Sequence, residues 1–241
     1  MISAVIPAYN EEEVLEASAC ALAKVLSRLS PLEWEIIIVN DGSRDRTAEA
    51  AARLSDDPHV HIVQHERNRG KGAAVRTGVL LTRGEAVLIC DADMSTPPET
   101  LELFLAELNR GADIVTGDRR SRHSCIKRPQ SRHRRVMGSV YAAFARWITG
   151  ISLRDFNCGF KLIRGDAARS LLKRSRIDGW TWDAEVIALA VRSRLVVRAL
   201  PITWRHGDRS SVRPFSGAIT SLVELTALWF RLRRIKGETI S

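Results

Sequence analysis

The segment Trp34–Asp41, WEIIIVND, sets the strongest limit on the fold. Ile36, Ile37, Ile38 and Val39 follow one another without a polar break. A strand with one wet face alternates apolar and polar residues, whereas an uninterrupted β-branched run suits a strand covered on both faces. Helices flanking a parallel sheet provide that cover. The run then drops onto Asn40 and Asp41, so polar groups stand where the strand leaves the core.

The same pattern recurs. Strands are expected at Ser3–Pro7, His59–His65, Ala86–Asp91 and Ala112–Asp118, with helical spacing over Glu11–Leu29, Thr47–Leu54, Lys71–Leu81 and Pro98–Asn109. This alternation predicts an α/β chain with a doubly wound, mostly parallel sheet. Ligands gather at the carboxyl ends of such strands. The polar clusters PAYNEEE, NDGS, DAD and GDRR fall at four of those ends.

Beyond Asp118 the pattern changes. Asp118–Arg135 holds eight Lys or Arg against one Asp and reads as a basic loop. Helices are expected at Val136–Thr149, Asp183–Ser193 and Gly217–Lys236, a strand at Val196–Ile202 and a polar loop at Thr203–Pro214. No linker rich in Gly, Ser or Pro divides the chain, so one domain is expected. Within it, residues 1–117 form a first half, 118–213 a second, and 214–241 a terminal helix.

With 241 residues, 45% hydrophobic and 27% charged, the chain has the composition of a soluble globular protein. No apolar run approaches the ~20 residues of a membrane span. The opening MISAVIPAYNEEE reads as a first strand, without the basic region of a secretory signal. Cys20, Cys90, Cys125 and Cys158 show neither CxxC nor zinc spacing, which suits free thiols in a reducing cytoplasm. The net charge of +9 points to an anionic partner: nucleic acid, phosphate or membrane surface. Nucleic-acid signatures are missing, so that class is not expected.

Each polar cluster has two readings. Asp91 and Asp93, in VLICDADMSTPPE, could share a divalent cation with substrate phosphates. They could also be a solvated strand end, with Ser95 or Thr96 capping a helix begun by Pro97 and Pro98. Asp41 could accept from a nucleobase or ribose, or simply belong to an Asp-Gly-Ser turn with Asp45 as cap. Tyr9 could lie on a base and Glu11 hold a ribose diol, or Asn10 could cap the first helix. Gly70, Lys71 and Gly72 could form an anion site at a helix start, or a plain glycine turn.

Taken in order, VIPAYNEE, VNDGSRDRT, NRGKGAAVRTG, DADMSTP, GDR and DFNCGFKLIR resemble family 2 inverting glycosyltransferases of the GT-A fold. The nearest branch is the polyprenyl/dolichyl-phosphate hexosyltransferases, over roughly Ile2 to Val212. The resemblance implies that Pro7, Ala8, Tyr9, Glu11, Asp41 and Lys71 hold the nucleoside. It implies that Asp91 faces nucleotide or sugar, that Asp93 faces the metal (Mg²⁺ or Mn²⁺), and that Ser95 stands where mannosyl-transferring members often carry a metal-shell Gln. Arg119 would face phosphate and Asp155 the reaction centre. Asp183 and Glu185 would serve sugar or acceptor, and Trp204 with Ser210, Ser211 and Val212 a loop over the donor.

The implied reaction is in-line displacement at the anomeric carbon of a nucleoside diphosphate sugar, UDP-glucose being favoured because of Ser95. The acceptor would be a polyprenyl or dolichyl monophosphate. A lipid phosphate hardly needs a base, so orientation and electrostatics are expected of Asp155 before proton transfer. Alternatives are GDP-mannose as donor, or a soluble or cell-wall acceptor. Arg119, Arg132, Arg134 and Arg135 are candidates for the acceptor phosphate or anionic lipid. The final helix, with Trp229, Phe230 and Leu232 among Arg231, Arg233, Arg234 and Lys236, fits either an interfacial helix or one packed on a core or dimer partner. A cytoplasmic protein, peripheral on the cytoplasmic face of a membrane, is expected.

Overall fold

The computed structural model describes residues 1–29, 33–128, 132–205 and 214–234. Its strands are β1 (Ile2–Ala8), β2 (Trp34–Asn40), β3 (Val60–Gln64), β4 (Ala86–Ile89), β5 (Ile114–Asp118), β6 (Cys125–Arg128), β7 (Lys161–Arg164), β8 (Val197–Pro201) and β9 (Thr203–Arg205). Its helices are α1 (Leu15–Arg28), α2 (Thr47–Ala52), α3 (Lys71–Leu81), α4 (Thr100–Asn109), α5 (Arg132–Thr149), α6 (Gly165–Arg174), α7 (Trp182–Arg192) and α8 (Pro214–Arg234).

Seven strands form one sheet in the order β3-β2-β1-β4-β7-β5-β8. All neighbours are parallel except β7, which runs antiparallel between β4 and β5. The isoleucine run of β2 explains the layering. Ile36 and Ile38 enter one core and Ile37 and Val39 another, because successive side chains point to opposite faces. On the first face lie α1, α2 and α4, through Leu15, Leu22, Leu26, Ala50, Leu101 and Phe104. On the second lie α3, α6 and α7, through Val75, Val79, Leu171, Leu172, Trp182 and Val186. Outside α7, a further apolar cluster joins it to α5 and α8 through Ile187, Ala188, Ala145, Ile148, Leu225 and Leu228. Helix α7 is therefore covered on both sides, and Trp182 to Ala190 are all buried.

The basic segment departs from expectation. It is not a loop up to Arg135: β6 pairs in parallel with β9, and α5 already begins at Arg132. Arg132, Arg134 and Arg135 thus lie in the first turns of α5, with their side chains outside the described part of the structure. Strand β9 also takes the first residues of the expected polar loop. Helix α1 starts at Leu15 rather than Glu11, and α4 at Thr100 rather than Pro98.

Gly78 fixes how closely α3 lies on the sheet. A Cβ built there would stand 2.4 Å from Val5 Cγ1 and 3.1 Å from Val39 Cγ2. Both neighbours are β-branched and stiff. Gly78→Ala gains about 1 kcal/mol of helix propensity. Overpacking costs about 1–3 kcal/mol and outweighs it. Net destabilisation is expected in urea melts, and a more stable variant would show that α3 shifts without strain.

Candidate active site

The ends of β1 and β2 are stitched together. Asp41 N–H donates to Ala8 O at 2.8 Å, Asn10 N–H to Ser43 Oγ at 3.0 Å, and Glu11 N–H to Thr47 Oγ1 at 2.8 Å. Asn10, at φ 57, accepts the Arg44 N–H on its side-chain oxygen. It therefore ties two loops together and does not cap α1. Pro7 and Tyr9 remain partly exposed beside the buried Ala8.

Asp41 does not present a free carboxylate. Its Oδ1 faces His65 Nδ1 at 2.7 Å and accepts the Arg69 N–H at 3.0 Å. Its Oδ2 accepts from Asn68 Nδ2 at 3.0 Å and from the Gly70 N–H at 2.8 Å. Two carboxylate oxygens offer about four acceptor sites, and the protein fills them. Gly42, at φ +65, would place a Cβ 2.3 Å from the Arg67 backbone, so the turn reading describes this segment. Asp41 holds the 65–70 loop.

The glycines around Lys71 likewise serve a protein contact. Ala73 N–H donates to Asp178 O, and a Cβ on Gly70 or Gly72 would come within 2.4 Å of Asp178 O or Ile177 O. The backbone of 177–179 thus covers the start of α3, the place that could have been an anion site or a plain glycine turn. Lys71 instead reaches Asp91 Oδ1 at 2.5 Å, with its ammonium 5.1 Å from the centre of the Trp180 ring.

Asp91 and Asp93 stand just past β4. Asp91 packs on Gly159, where a Cβ would sit 1.9 Å from Asp91 Oδ2. Burial would raise the Asp91 carboxyl, but Lys71, Lys161 and Arg119 hold it below its ordinary value. Asp93 accepts from Ser95 N–H at 3.0 Å and Ser95 Oγ at 2.6 Å, across Met94 at φ 43. Ser95 therefore aims Asp93 and caps no helix. Its carbonyl accepts the Arg205 N–H, which ties β9 to this turn. Asp91, Ser95, Gly159, Phe160 and Trp204 line one cleft. Glu11 feels these carboxylates: burial, then Asp93, Asp91 and Asp45, push it up to about 7.

Arg119, just past β5, donates to Asp155 from Nε at 2.6 Å, from Nη2 at 2.8 Å and from its backbone N–H at 3.1 Å. Its guanidinium lies 5.4 Å from the centre of the Trp204 ring. Burial would raise Asp155, but Arg119 holds it below the usual carboxylate range.

Lys161 was not singled out from sequence. It is 1% exposed, donates to Cys158 O at 2.5 Å and pairs with Asp183. Burial pushes the Asp183 carboxyl up against the pull of Lys161 and Lys71. The one signal in the sequence was a lysine inside the apolar run FKLI, since a buried lysine requires a partner. Asp183 thus joins the Asp91 group, whereas Glu185 does not. Two helical residues apart, it faces the other way. Its carboxylate accepts from Ser175 Oγ and the N–H groups of Arg176 and Ile177, and pairs with Arg231. Ser210, Ser211 and Val212 lie outside the described residues.

Among the described residues, no group of three or more His, Cys, Asp or Glu side chains forms a metal cage. Asp93 with Asp91 instead offers the one or two carboxylates that suit an ion shared with substrate phosphates.

The profile of the Glycosyl transferase family 2 domain matches residues 3–175. The chain belongs to this family. This family 2 glycosyltransferase is 32% identical to a dolichyl-phosphate beta-glucosyltransferase of Trichomonas vaginalis, over 94% of this chain and 71% of that protein. It is 30% identical to the dolichyl-phosphate beta-glucosyltransferase of Mus musculus, over 98% and 76%. Among solved structures it resembles a glucosyl-3-phosphoglycerate synthase of Mycobacterium tuberculosis in complex with Mn²⁺, UDP-glucose and glycerol 3-phosphate. The TM-score is 0.68 at 19% identity, covering 98% of this chain and 81% of that one. A mannosyl-3-phosphoglycerate synthase of Rubrobacter xylanophilus gives 0.65 at 17% identity, covering 100% and 77%. These likenesses establish the GT-A fold.

Two expectations follow from the glycosyltransferase's charges. Glu11 binds its proton more tightly folded, at about 7, than at its ordinary 4.5. Its contribution to stability is full below 4.5 and is lost as the pH rises through about 7. Glu11→Gln should therefore gain on the wild type between pH 5 and 8 in urea titrations, and a constant difference would contradict the shift. Asp155→Asn strands the Arg119 guanidinium and should cost about 3 kcal/mol. The double change Asp155→Leu, Arg119→Met should recover most of that loss in the same melts. No recovery would show that the two charges do not depend on each other.

Proposed function

We propose that this glycosyltransferase moves glucose from UDP-glucose to the phosphate of a polyprenyl or dolichyl monophosphate, with inversion. The observation that carries this reading is the Arg119–Asp155 pair. An acid expected at the reaction centre is gripped through both oxygens by a guanidinium and held ionised. A carboxylate so committed is a poor base for a hydroxyl acceptor. A phosphate monoester needs no base, and the relatives named as dolichyl-phosphate glucosyltransferases act on such an acceptor.

In this reading the nucleoside lies over the ends of β2 and β1, near Tyr9 and Glu11. Asp93, aimed by Ser95, would hold Mg²⁺ or Mn²⁺, with Asp91 beside it balanced by Lys71. The ion supplies electrostatic stabilisation of the departing diphosphate. Asp155 fixes Arg119, which meets the acceptor phosphate. An acceptor phosphate oxygen attacks the anomeric carbon, and the bond from that carbon to the diphosphate oxygen breaks. Products are UDP and a glucosyl phospholipid.

Helices α5 and α8 supply a surface for the lipid. Phe144, Trp147, Trp229 and Phe230 form a chain of ring contacts, and Trp147 is 67% exposed. The Arg233 guanidinium lies 3.6 Å from the centre of the Trp229 ring. Aromatic rings edged by arginine suit a position among headgroups. No described helix is long and apolar enough to cross a membrane.

Incubation of the protein with Mn²⁺, vesicles carrying a polyprenyl monophosphate, and UDP-glucose or GDP-mannose tests the reading. UDP release and glucolipid with UDP-glucose are expected. Product only with GDP-mannose, or only on 3-phosphoglycerate as acceptor, would overturn it.

A further inference from the structure

Trp180 is 39% exposed on the segment between α6 and α7, where the structure gives it no core to fill. The other exposed aromatic side chains among the described residues, Trp147 and Phe230, belong to the outer helices α5 and α8. Trp180 alone of these borders the strand-end charges, through the Lys71 ammonium that is also bonded to Asp91.

The segment that carries Trp180 is pinned on three sides. Ser175, Arg176 and Ile177 are bonded to the buried Glu185. Asp178 accepts the Ala73 N–H at the start of α3 and pairs with Arg76. Thr181 N–H donates to Glu224 of α8, and Gly179 lies so close that a Cβ would stand 2.0 Å from Glu224 Oε1. The fold thus holds a flat, half-exposed apolar ring at a fixed place beside the Lys71 ammonium that is bonded to Asp91. Rings held rigidly in this way lose little conformational entropy when a ligand packs on them, and sites for small polar ligands combine such rings with a few charged groups.

The order of strands says which part of a donor meets it. Across the sheet run β2, β1, β4, β7 and β5; at one edge lie Asp41, Tyr9 and Asp91 past the ends of β2, β1 and β4, Lys161 at the start of the antiparallel β7, and Arg119 past the end of β5. A nucleoside over β2 and β1 with its diphosphate at β4 carries the sugar on towards β7 and the start of α7. Lys161 and Asp183 pair there, and Trp180, against Lys71, stands two residues before α7. We infer that Trp180 is a specificity-determining residue, the apolar wall on which the donor's hexose ring packs. This rests on the donor orientation proposed above. A hexose whose hydroxyls are all equatorial, like the glucose of UDP-glucose, has its axial anomeric oxygen on one face and presents the other, with its C2 and C4 hydrogens, to such a wall. An axial hydroxyl on that face leaves a polar group against the ring, which is costly.

Trp180→Ala and Trp180→Phe, made in the full chain, test this by calorimetry with Mn²⁺. UDP affinity should stay within twofold of wild type in both. UDP-glucose affinity without acceptor should fall about tenfold in Trp180→Ala and stay within threefold in Trp180→Phe. The preference for UDP-glucose over UDP-galactose should shrink in Trp180→Ala. Equal losses for UDP and UDP-glucose would assign Trp180 to the nucleotide or to the fold, and overturn the proposal. A rise confined to the acceptor KM, or no change at all, would overturn it as well. Should the wild type transfer mannose from GDP-mannose, the UDP-glucose reading fails. Trp180 is then judged by the same comparison of GDP with GDP-mannose. A wild type that binds no sugar nucleotide overturns both.

Discussion

The pairing of Lys71 with Asp91 is the contact on which the site depends. Strands β4 and β5 deliver acids or arginine to one edge of the sheet, and β7 begins at a lysine that cannot reach water. Carboxylates gathered there repel one another, and burial penalises each charge further. The fold answers with a cation for each: Lys71 on Asp91, Arg119 on Asp155 and Lys161 on Asp183. Among the described residues, Glu11 and Asp93 show no comparable ion pair. Glu11 responds by binding a proton near neutrality, and Asp93 is aimed by the Ser95 hydroxyl instead. A site so balanced suits a ligand that brings both positive and negative charge, as a cation bound to a diphosphate does.

These pairs also explain the close packing of glycines. Gly159 leaves the room that the Asp91 carboxylate occupies, and Gly70 and Gly72 let the 177–179 backbone settle on α3. An added methyl group at any of them would push on a charge or a carbonyl, and neither yields easily in a filled interior. The glycine pattern that looks like phosphate recognition in the sequence is here the geometry of an ion-pair site.

Local chemistry was legible in the sequence, and partnership was not. The run Ile36–Val39 told of a strand covered on both faces, and the acids past the strands marked the edge where Lys71, Arg119 and Lys161 form their ion pairs. The GT-A fold was legible for that reason. But Arg119 and Asp155 are far apart along the chain, and nothing in either neighbourhood says that one grips the other. The turn at Asp41 could be read, but not the partners of its carboxylate, because all four come from the next loop. Asp183 and Glu185 looked like one motif, yet helical geometry sends them to opposite sides of α7. The eight basic residues suggested a loop up to Arg135 because the first turn of α5, Arg132–Arg135, has no apolar residue to mark it; the helix was legible only from Val136 on.

The helices beyond the sheet bear on the same edge. Glu224 of α8 takes the Thr181 N–H, and Arg231 of α8 pairs with Glu185, which in turn holds the residues from Ser175 to Ile177. The segment with Trp180 and the start of α7 is thus clamped between α3, which carries Lys71, and α8, which carries the exposed aromatic face. Neighbours that share polar partners in this way are coupled energetically rather than independent. A change in how α8 sits would therefore be felt at Glu185 and Thr181 first, and from there at Asp183 and Trp180. The exposed aromatic face of α8 and the charged edge of the sheet are joined by a short path of hydrogen bonds, not by the sheet.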